Sequence, residues 1–188
     1  MFSREAIIRK LLGCFEVFLL MPVGIKRFEG SRAEAIKSFV IPIVLLPFIM
    51  IVLVAMSPGY SVNLLVLIHL IRIIVTVILG LAAVYFLAMQ FGKVEYFYKF
   101  LNVSNWYNIP SVIFLSPIIF AFMMGYDMGA MESYAVFLTL IGVLYSSFVI
   151  THVFKLPWEL GGFIAIVCLA IDQNVFGFAL YIRDWVSI

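Results

Sequence analysis

Charged residues are scarce in this chain of 188 residues. Only 12% of the residues are Asp, Glu, Lys or Arg, while 65% are hydrophobic, and the mean hydropathy is +1.19. A soluble globular domain is about a quarter charged and about half apolar. The composition therefore excludes an ordinary soluble domain and favours a membrane protein. The net charge of only +2 gives no reason to expect a nucleic-acid partner.

The chain also has few cysteines and lacks the common catalytic motifs. Of its two cysteines, Cys14 lies near the N-terminus and Cys168 in an apolar run, so we expect no disulfide framework. The sequence contains no HExxH, no paired CxxC, no glycine-rich phosphate loop and no nucleophile elbow. We therefore predict no catalytic, cofactor or metal site, and a protein that is not an enzyme.

Five long apolar runs, separated by short polar connections, make up most of the sequence. A helix needs about 20 mainly apolar residues to cross the hydrocarbon core of a bilayer, and these runs are close to that length. The pattern predicts an all-α polytopic membrane protein, with a five-transmembrane-helix bundle at 31–188 preceded by a cytoplasmic amphipathic region at 1–30. The runs occupy residues 38–56, 64–89, 110–126, 133–154 and 161–182.

Positive residues are confined to alternate connections. Seven Lys and Arg residues precede the first run, and Lys93, Lys99 and Lys155 lie in the second and fourth connections. The connections at 57–63 and 127–132 have none. Because cytoplasmic loops are enriched in Lys and Arg, we expect a cytoplasmic N-terminus and an external or lumenal C-terminus.

Residues 3–21 have the pattern of an amphipathic helix. Apolar residues recur at steps of three and four, from Ile7 to Leu19, and charged residues occupy much of the remaining surface. Such a helix is expected to lie in the membrane interface with its basic groups toward anionic lipid. The charged residues of this segment are Arg4, Glu5, Arg9, Lys10 and Glu16.

A helix start follows at residues 30–34. Ser31 is placed to cap the backbone N–H of Glu34, and Glu34 is placed to return a hydrogen bond to the Ser31 N–H. The first spanning helix is therefore expected to begin near Arg32.

Two predicted spans carry polar groups at membrane depth. His69, Arg72 and Thr76 share one face of the second span, and Asp172, Gln173 and Asn174 follow one another in the fifth. Arg72 and Asp172 each lie about 16 Å from the external ends of their helices, so we hypothesise an ion pair between them. The alternatives are a proton or solute pathway through His69 and Asp172, or no contact at all.

Small residues in two spans are predicted to let helices approach closely. These are Gly142 with Ser146 in the fourth span, and Thr76 with Gly80 in the second.

Two segments resemble those of a known membrane-protein family. The stretch 97–103 with Trp106, Tyr107 and Pro110, and the turn 156–159, are similar to cytoplasmic connections of the Yip-domain (Ypt-interacting protein) family. Phe28-Glu29-Gly30-Ser31 stands where eukaryotic members have an acidic Gly-Pro motif, so the resemblance is to bacterial-type members. It implies an inner-membrane protein (a Golgi or ER protein if eukaryotic) of undefined role.

Three functions follow as expectations. The first is a non-enzymatic scaffold or membrane-organising factor of the Yip-domain kind. The second is a small oligomeric transporter or channel that uses the cluster of His69, Arg72 and Asp172. The third is an accessory subunit of a larger membrane complex. The expected partners are the lipid bilayer and either another protein or further copies of the chain.

Overall fold

A computed structural model describes residues 3–55, 57, 59–126 and 128–186, and within these ranges the structure is helical without strands. Short 3-10 helices at Gly24–Arg27, Val94–Tyr96 and Met128–Met131 lie between longer elements. The α-helices are α1 (Arg4–Phe18), α2 (Arg32–Ser38), α3 (Val40–Ala55), α4 (Val62–Gln90), α5 (Phe97–Met123), α6 (Glu132–Phe154) and α7 (Trp158–Val186).

Five helical segments of the described chain are long and apolar enough to cross a membrane, which confirms the predicted number and helical character of the spans. Their most apolar stretches have mean hydropathies between 1.5 and 2.7. By length and composition these segments indicate an integral membrane protein. They are Arg32–Val54, Val62–Gln90, Val94–Met123, Glu132–Phe154 and Trp158–Val186.

Two spans differ in detail from the apolar runs. The first combines α2 and α3, which are separated at Phe39. The third lies within α5, which begins at Phe97, well before the run that opens at Pro110. Helix α5 continues through Pro110, although proline lacks the N–H that would bond the carbonyl of Trp106. The N-terminal part of α5 is polar, and it is covered by α1 and α2.

Long helices pack in a bundle around α7 and α5. Helix α7 packs along α6 and α4, while α5 contacts α1, α2, α3 and α6. Helices α6 and α7 approach closely at Gly161, where a Cβ would overlap Thr151 Oγ1 and lie 2.8 Å from Ser147 O. Gly80 and Gly142, predicted to provide such contacts, have no atom within 4 Å of a built Cβ.

The predicted cytoplasmic connections meet at one end of the bundle. Lys155 ends α6 and donates a hydrogen bond of 3.2 Å to the hydroxyl of Tyr96, which precedes α5. Phe100 of α5 packs on Phe154 of α6 at 5.6 Å between ring centroids. We call this end, which carries Lys93, Lys99 and Lys155, the basic end. The buried core is concentrated in the half of the bundle next to it.

The opposite end is held by contacts between the α3–α4 connection and the end of α7. The hydroxyl of Tyr60 donates a hydrogen bond of 3.0 Å to Asp184. The Arg183 guanidinium lies 4.5 Å from the centroid of the Tyr60 ring and pairs with Asp184 at 2.7 Å. The α3–α4 connection and the end of α7 are thus joined, and the predicted topology places both on the same side of the membrane.

Candidate functional site

Residues 4–30 form a hairpin on the side of the bundle, next to the basic end. Ser3 Oγ accepts a hydrogen bond of 3.2 Å from Ala6 N and so caps α1. After α1 the chain turns and comes back through the 3-10 helix Gly24–Arg27. We call residues 4–30 the N-terminal hairpin.

Two glycines bring the arms of the hairpin into backbone contact. A Cβ on Gly24 would lie 2.7 Å from Gly13 O and 2.8 Å from Val17 N. A Cβ on Gly13 would lie 2.7 Å from the Phe28 ring. Since the atoms around Gly24 include backbone, which has no rotamer to move aside, only glycine fits there without shifting the arms.

Lys10, predicted to face anionic lipid with the other charges of α1, is instead completely buried. Its ammonium forms an ion pair with Glu34 of α2 and lies 5.4 Å from the centroid of the Trp106 ring of α5. Glu34 also accepts a hydrogen bond of 3.1 Å from Lys37. The backbone N–H of Glu34 donates to Ser31 Oγ at 3.2 Å, so the capping residue fixes the carboxylate that receives Lys10.

Two further ion pairs join α1 to the return segment of the hairpin. Arg27 donates two hydrogen bonds to Glu16 at 2.5 and 2.6 Å, and this bidentate contact lowers the pKa of the Glu16 carboxyl. Arg9 pairs with Glu29 at 2.5 Å. The backbone carbonyl of Glu29 in turn accepts a hydrogen bond of 2.9 Å from Asn102 Nδ2 of α5. Two ion pairs therefore join the arms of the hairpin, and the hydrogen bond from Asn102 anchors its return segment to α5.

Cys14 attaches α1 to the carbonyl that Pro110 leaves unbonded. Its thiol donates to Trp106 O at 3.5 Å, and Trp106 stands four residues before Pro110. Burial of the sulfur raises the pKa of the Cys14 thiol to about 12. The cysteine is thus a packing and hydrogen-bonding group in the neutral thiol form.

Helix α1 runs beside α5 in the same direction and reaches well into the bundle. The Phe18 ring stacks on Phe114 at 4.8 Å and on Tyr145 at 5.6 Å between centroids. Tyr145 lies nine residues before Phe154, or about 14 Å along α6 from the basic end. The tip of the hairpin is therefore far from the level of the connections.

The hairpin leaves a stripe of apolar residues exposed. The stripe follows α1, continues over the turn and borders an apolar groove against α5. Exposed charged residues lie beside it, namely Arg4, Glu5, Arg9, Lys26 and Glu29. This exposed stripe inverts the arrangement of a soluble amphipathic helix, in which the apolar face is covered. The exposed apolar residues are Ile7, Ile8, Leu11, Leu12, Phe15, Leu19, Leu20, Met21 and Val23.

The predicted intramembrane polar residues lie on two helices that pack together, but the hypothesised Arg72–Asp172 ion pair is not formed. No salt bridge within 4.0 Å joins the two side chains in the part of the chain that the structure describes. The Arg72 guanidinium lies 5.0 Å from the centroid of the Phe176 ring. Phe176 is one turn beyond Asp172 on α7, so the arginine reaches a different level of that helix.

The other members of this cluster do not converge. His69 is buried on α4, and neither of its ring nitrogens has a hydrogen-bond partner among the described residues. Gln173 and Asn174 are exposed, and Asn174 Nδ2 donates to Ala170 O of its own helix at 2.7 Å. Arg72 and Asn174 border an outward-facing, mainly apolar groove between α4 and α7. Thr76 alone of the six faces the interior cavity described next.

A cavity of about 320 Å³ lies between α4, α5, α6 and α7. Asn105 donates its amide N–H to Ser38 Oγ at 2.9 Å, and Asn108 uses its amide N–H groups on carbonyls of its own helix. The lining carries hydroxyl, amide and thiol groups but no Asp, Glu, Lys or Arg among the described residues. Its polar lining residues are Thr76, Ser104, Asn105, Tyr107, Asn108, Tyr145, Ser146 and Cys168.

The sequence reasoning missed these cavity residues for an identifiable reason. Asn105 and Asn108 of the cavity lining are spaced by three from each other, and Asn105 by three from the buried Asn102, which places the three along one face of a helix. Because residues 90–109 were assigned to a connection between spans, their periodicity was not interpreted as a helical face. The signal that could have identified them is the helical spacing of polar residues within the segment between the second and third spans.

Comparison with protein-family models, with curated proteins and with solved structures finds no match in any of the three.

Proposed function

We propose that this chain is a non-enzymatic membrane-organising protein of the Yip-domain kind, whose N-terminal hairpin is embedded in one leaflet of the bilayer. Support comes from the exposed apolar stripe of α1 and its turn, together with the ion pair that buries Lys10 against Glu34 of α2 and the two ion pairs within the hairpin. A hairpin that presents this apolar stripe outward and buries the Lys10 ammonium suits contact with lipid better than contact with water along that stripe.

The proposed depth follows from the contacts of Phe18. It lies about 14 Å along α6 from the basic end, and the hydrocarbon core is about 30 Å thick, so the hairpin tip would reach near the bilayer midplane. The hairpin would therefore enter from the basic side and leave on the same side. The expected orientation is a basic end in the cytoplasm, with the membrane a bacterial inner membrane, or the Golgi or ER membrane in a eukaryote.

The hairpin makes the protein wider in one leaflet than in the other. It adds the volume of a fifteen-residue helix and a return segment next to the basic end, and the described part of the opposite end carries no comparable element. Inserting apolar volume into one leaflet expands that leaflet and favours a curved membrane in which it forms the convex side. The observation that carries the proposal is this one-sided, apolar, docked hairpin.

The test is a partition experiment between small, highly curved vesicles and large ones. Wild-type protein oriented with its basic end outward should be enriched in the small vesicles, and protein of the opposite orientation should be depleted. Replacing Leu12 and Phe15, which are 47% and 61% exposed, by Gln should reduce both preferences. Because these side chains point away from the bundle, the fold should be retained.

A matched control changes the same number of exposed apolar residues at the opposite end. Met123 and Met124 are 77% and 61% exposed, and their replacement by Gln should leave the partition unchanged. Equal partition of the wild type between the vesicle sizes, or an equal effect of the two double variants, would contradict the wedge role. Protection of Cys14 from alkylation reports whether each variant keeps the hairpin docked.

The interior cavity supports a second candidate, the binding or passage of a small uncharged solute. Its hydroxyl and amide groups provide hydrogen bonds without a charged group, and its volume of about 320 Å³ is that of a small-molecule site. Glycerol uptake by vesicles is the direct test, with Ser146→Leu as the variant that reduces the cavity. Uptake equal to that of protein-free vesicles would eliminate passage as a function.

A further inference from the structure

An unpaired amide faces outward from the middle of α7. Gln173 is exposed, and its side chain makes no hydrogen bond with any described residue. It lies about 20 Å from either end of the helix, which is deeper than a glutamine side chain can reach back to the interface. Its neighbour Asn174 is also exposed but bonds Ala170 O.

A primary amide left in hydrocarbon is costly, because lipid tails offer neither donor nor acceptor. Polar side chains within spanning helices therefore tend to bond across helices. None of the described helices of this chain covers Gln173, so the covering group belongs to another molecule.

The face around Gln173 permits close approach of a second helix. Ala170 and Gly177 lie on the same exposed side, one turn before and one turn after it, and no atom lies within 4 Å of a Cβ built on Gly177. Their spacing of seven residues, with Gln173 between them, is that of a left-handed helix pair. Large exposed side chains flank this central patch, namely Phe163, Ile166, Phe178 and Tyr181.

We propose that the chain forms a parallel homodimer through α7, in which the Gln173 amides of two copies bond each other. A primary amide is self-complementary, since each one donates an N–H and accepts at its oxygen, and a twofold contact makes both bonds at once. Copies inserted with the same topology place Gln173 at the same depth, so an axis along the bilayer normal brings the two amides together. A partner of different sequence would need a hydrogen-bonding side chain of its own at this depth.

The experiment measures dimerisation in vesicles by energy transfer between labelled copies as the protein-to-lipid ratio is varied. Wild-type protein should dimerise, and Gln173→Leu should raise the dissociation constant about tenfold, the effect expected for two interhelical hydrogen bonds in a membrane. Leucine at a lipid-facing position removes an unsatisfied amide, so the monomer should fold at least as well as the wild type.

Asn174→Leu is the matched control, because the Asn174 amide is already bonded to its own helix. This substitution should change the dissociation constant less than threefold, well below the tenfold effect of Gln173→Leu. A cross-link between copies carrying Ala170→Cys provides a second reading, since twofold packing places the two substituted residues near each other. A wild type that stays monomeric at every protein density would overturn the proposal. So would equal effects of the two Leu variants, or a photo-crosslinker at position 173 that captures only other membrane proteins.

Discussion

Removal of the Glu34 carboxylate should release the N-terminal hairpin from the bundle. Lys10 has no exposed surface and Glu34 is only 15% exposed, so Glu34→Gln removes the carboxylate that pairs with a buried ammonium. Breaking a buried pair in this way costs about 3 to 5 kcal/mol. We expect the lower end of this range, because the Lys10 ammonium keeps the Trp106 ring as a neighbour.

The alkylation rate of Cys14 measures this release directly. The thiol is 6% exposed and bonded to Trp106 O, so it reacts only when α1 separates from α5. When opening is rapid, the rate follows the open population, and about 3 kcal/mol corresponds to roughly a hundredfold faster labelling. Peptide-level mass spectrometry distinguishes Cys14 from Cys168, which serves as an internal reference in the bundle interior.

The neighbouring ion pair provides the control. Arg9 also lies on α1, next to Lys10, but it pairs with Glu29 of the return segment, and the two side chains are 47% and 51% exposed. Glu29→Gln should therefore cost at most about 1 kcal/mol and change labelling less than about fivefold. Combining Lys10→Met with Glu34→Gln should restore much of the protection, because no charge is then buried alone. Equal labelling rates for Glu34→Gln and Glu29→Gln would refute the reasoning.

Three further predictions concern close contacts and pH. Gly24→Ala should destabilise the hairpin by about 1 to 3 kcal/mol and speed Cys14 alkylation, because the new Cβ meets backbone at 2.7 Å, whereas Gly80→Ala should not. Gly161→Ala should lower the melting temperature by separating α6 from α7, and Gly142→Ala, with open space around it, should leave it unchanged or raise it. The hydrogen bonds from Arg27 lower the pKa of the Glu16 carboxyl. This contact therefore stabilises the hairpin fully above the unfolded carboxyl pKa of about 4.3, and the stabilisation is lost as the pH falls through the lowered pKa of the folded state. Hydrogen exchange of α1 should become faster in that pH range, and Arg27→Gln should abolish this pH dependence.

The five spans were predictable because hydrocarbon thickness sets a length that the apolar runs must match. The start of α5 was not, since its first turns are polar and resemble a connection. Asn102 and Asn105 are accepted inside the fold only because they meet the Glu29 carbonyl and the Ser38 hydroxyl. These partners are far away in the sequence, so no local pattern identifies them.

The missing contact between Arg72 and Asp172 shows that equal depth in the membrane does not establish that two side chains meet. Counting residues from a helix end gives the position of each side chain along the bilayer normal. It does not give the rotation of each helix about its axis, which packing decides. Here that rotation and the length of the arginine bring its guanidinium to Phe176.

The N-terminal hairpin shows that the sequence pattern of a helix also does not tell which of its faces packs against the bundle. Periodicity predicts an apolar and a charged side for α1, but in a membrane protein the apolar side has no preference for the interior, because lipid is as apolar as the core. What then decides the packing is the set of groups that lipid cannot satisfy. In α1 these include the Lys10 ammonium and the Cys14 thiol, and both point into the bundle, where Glu34 and Trp106 receive them. For helices at membrane depth, the buried face is therefore better predicted from the placement of polar groups and small residues than from hydrophobic periodicity. The exposed Gln173 on α7 is the place where the same rule requires a partner from outside the chain.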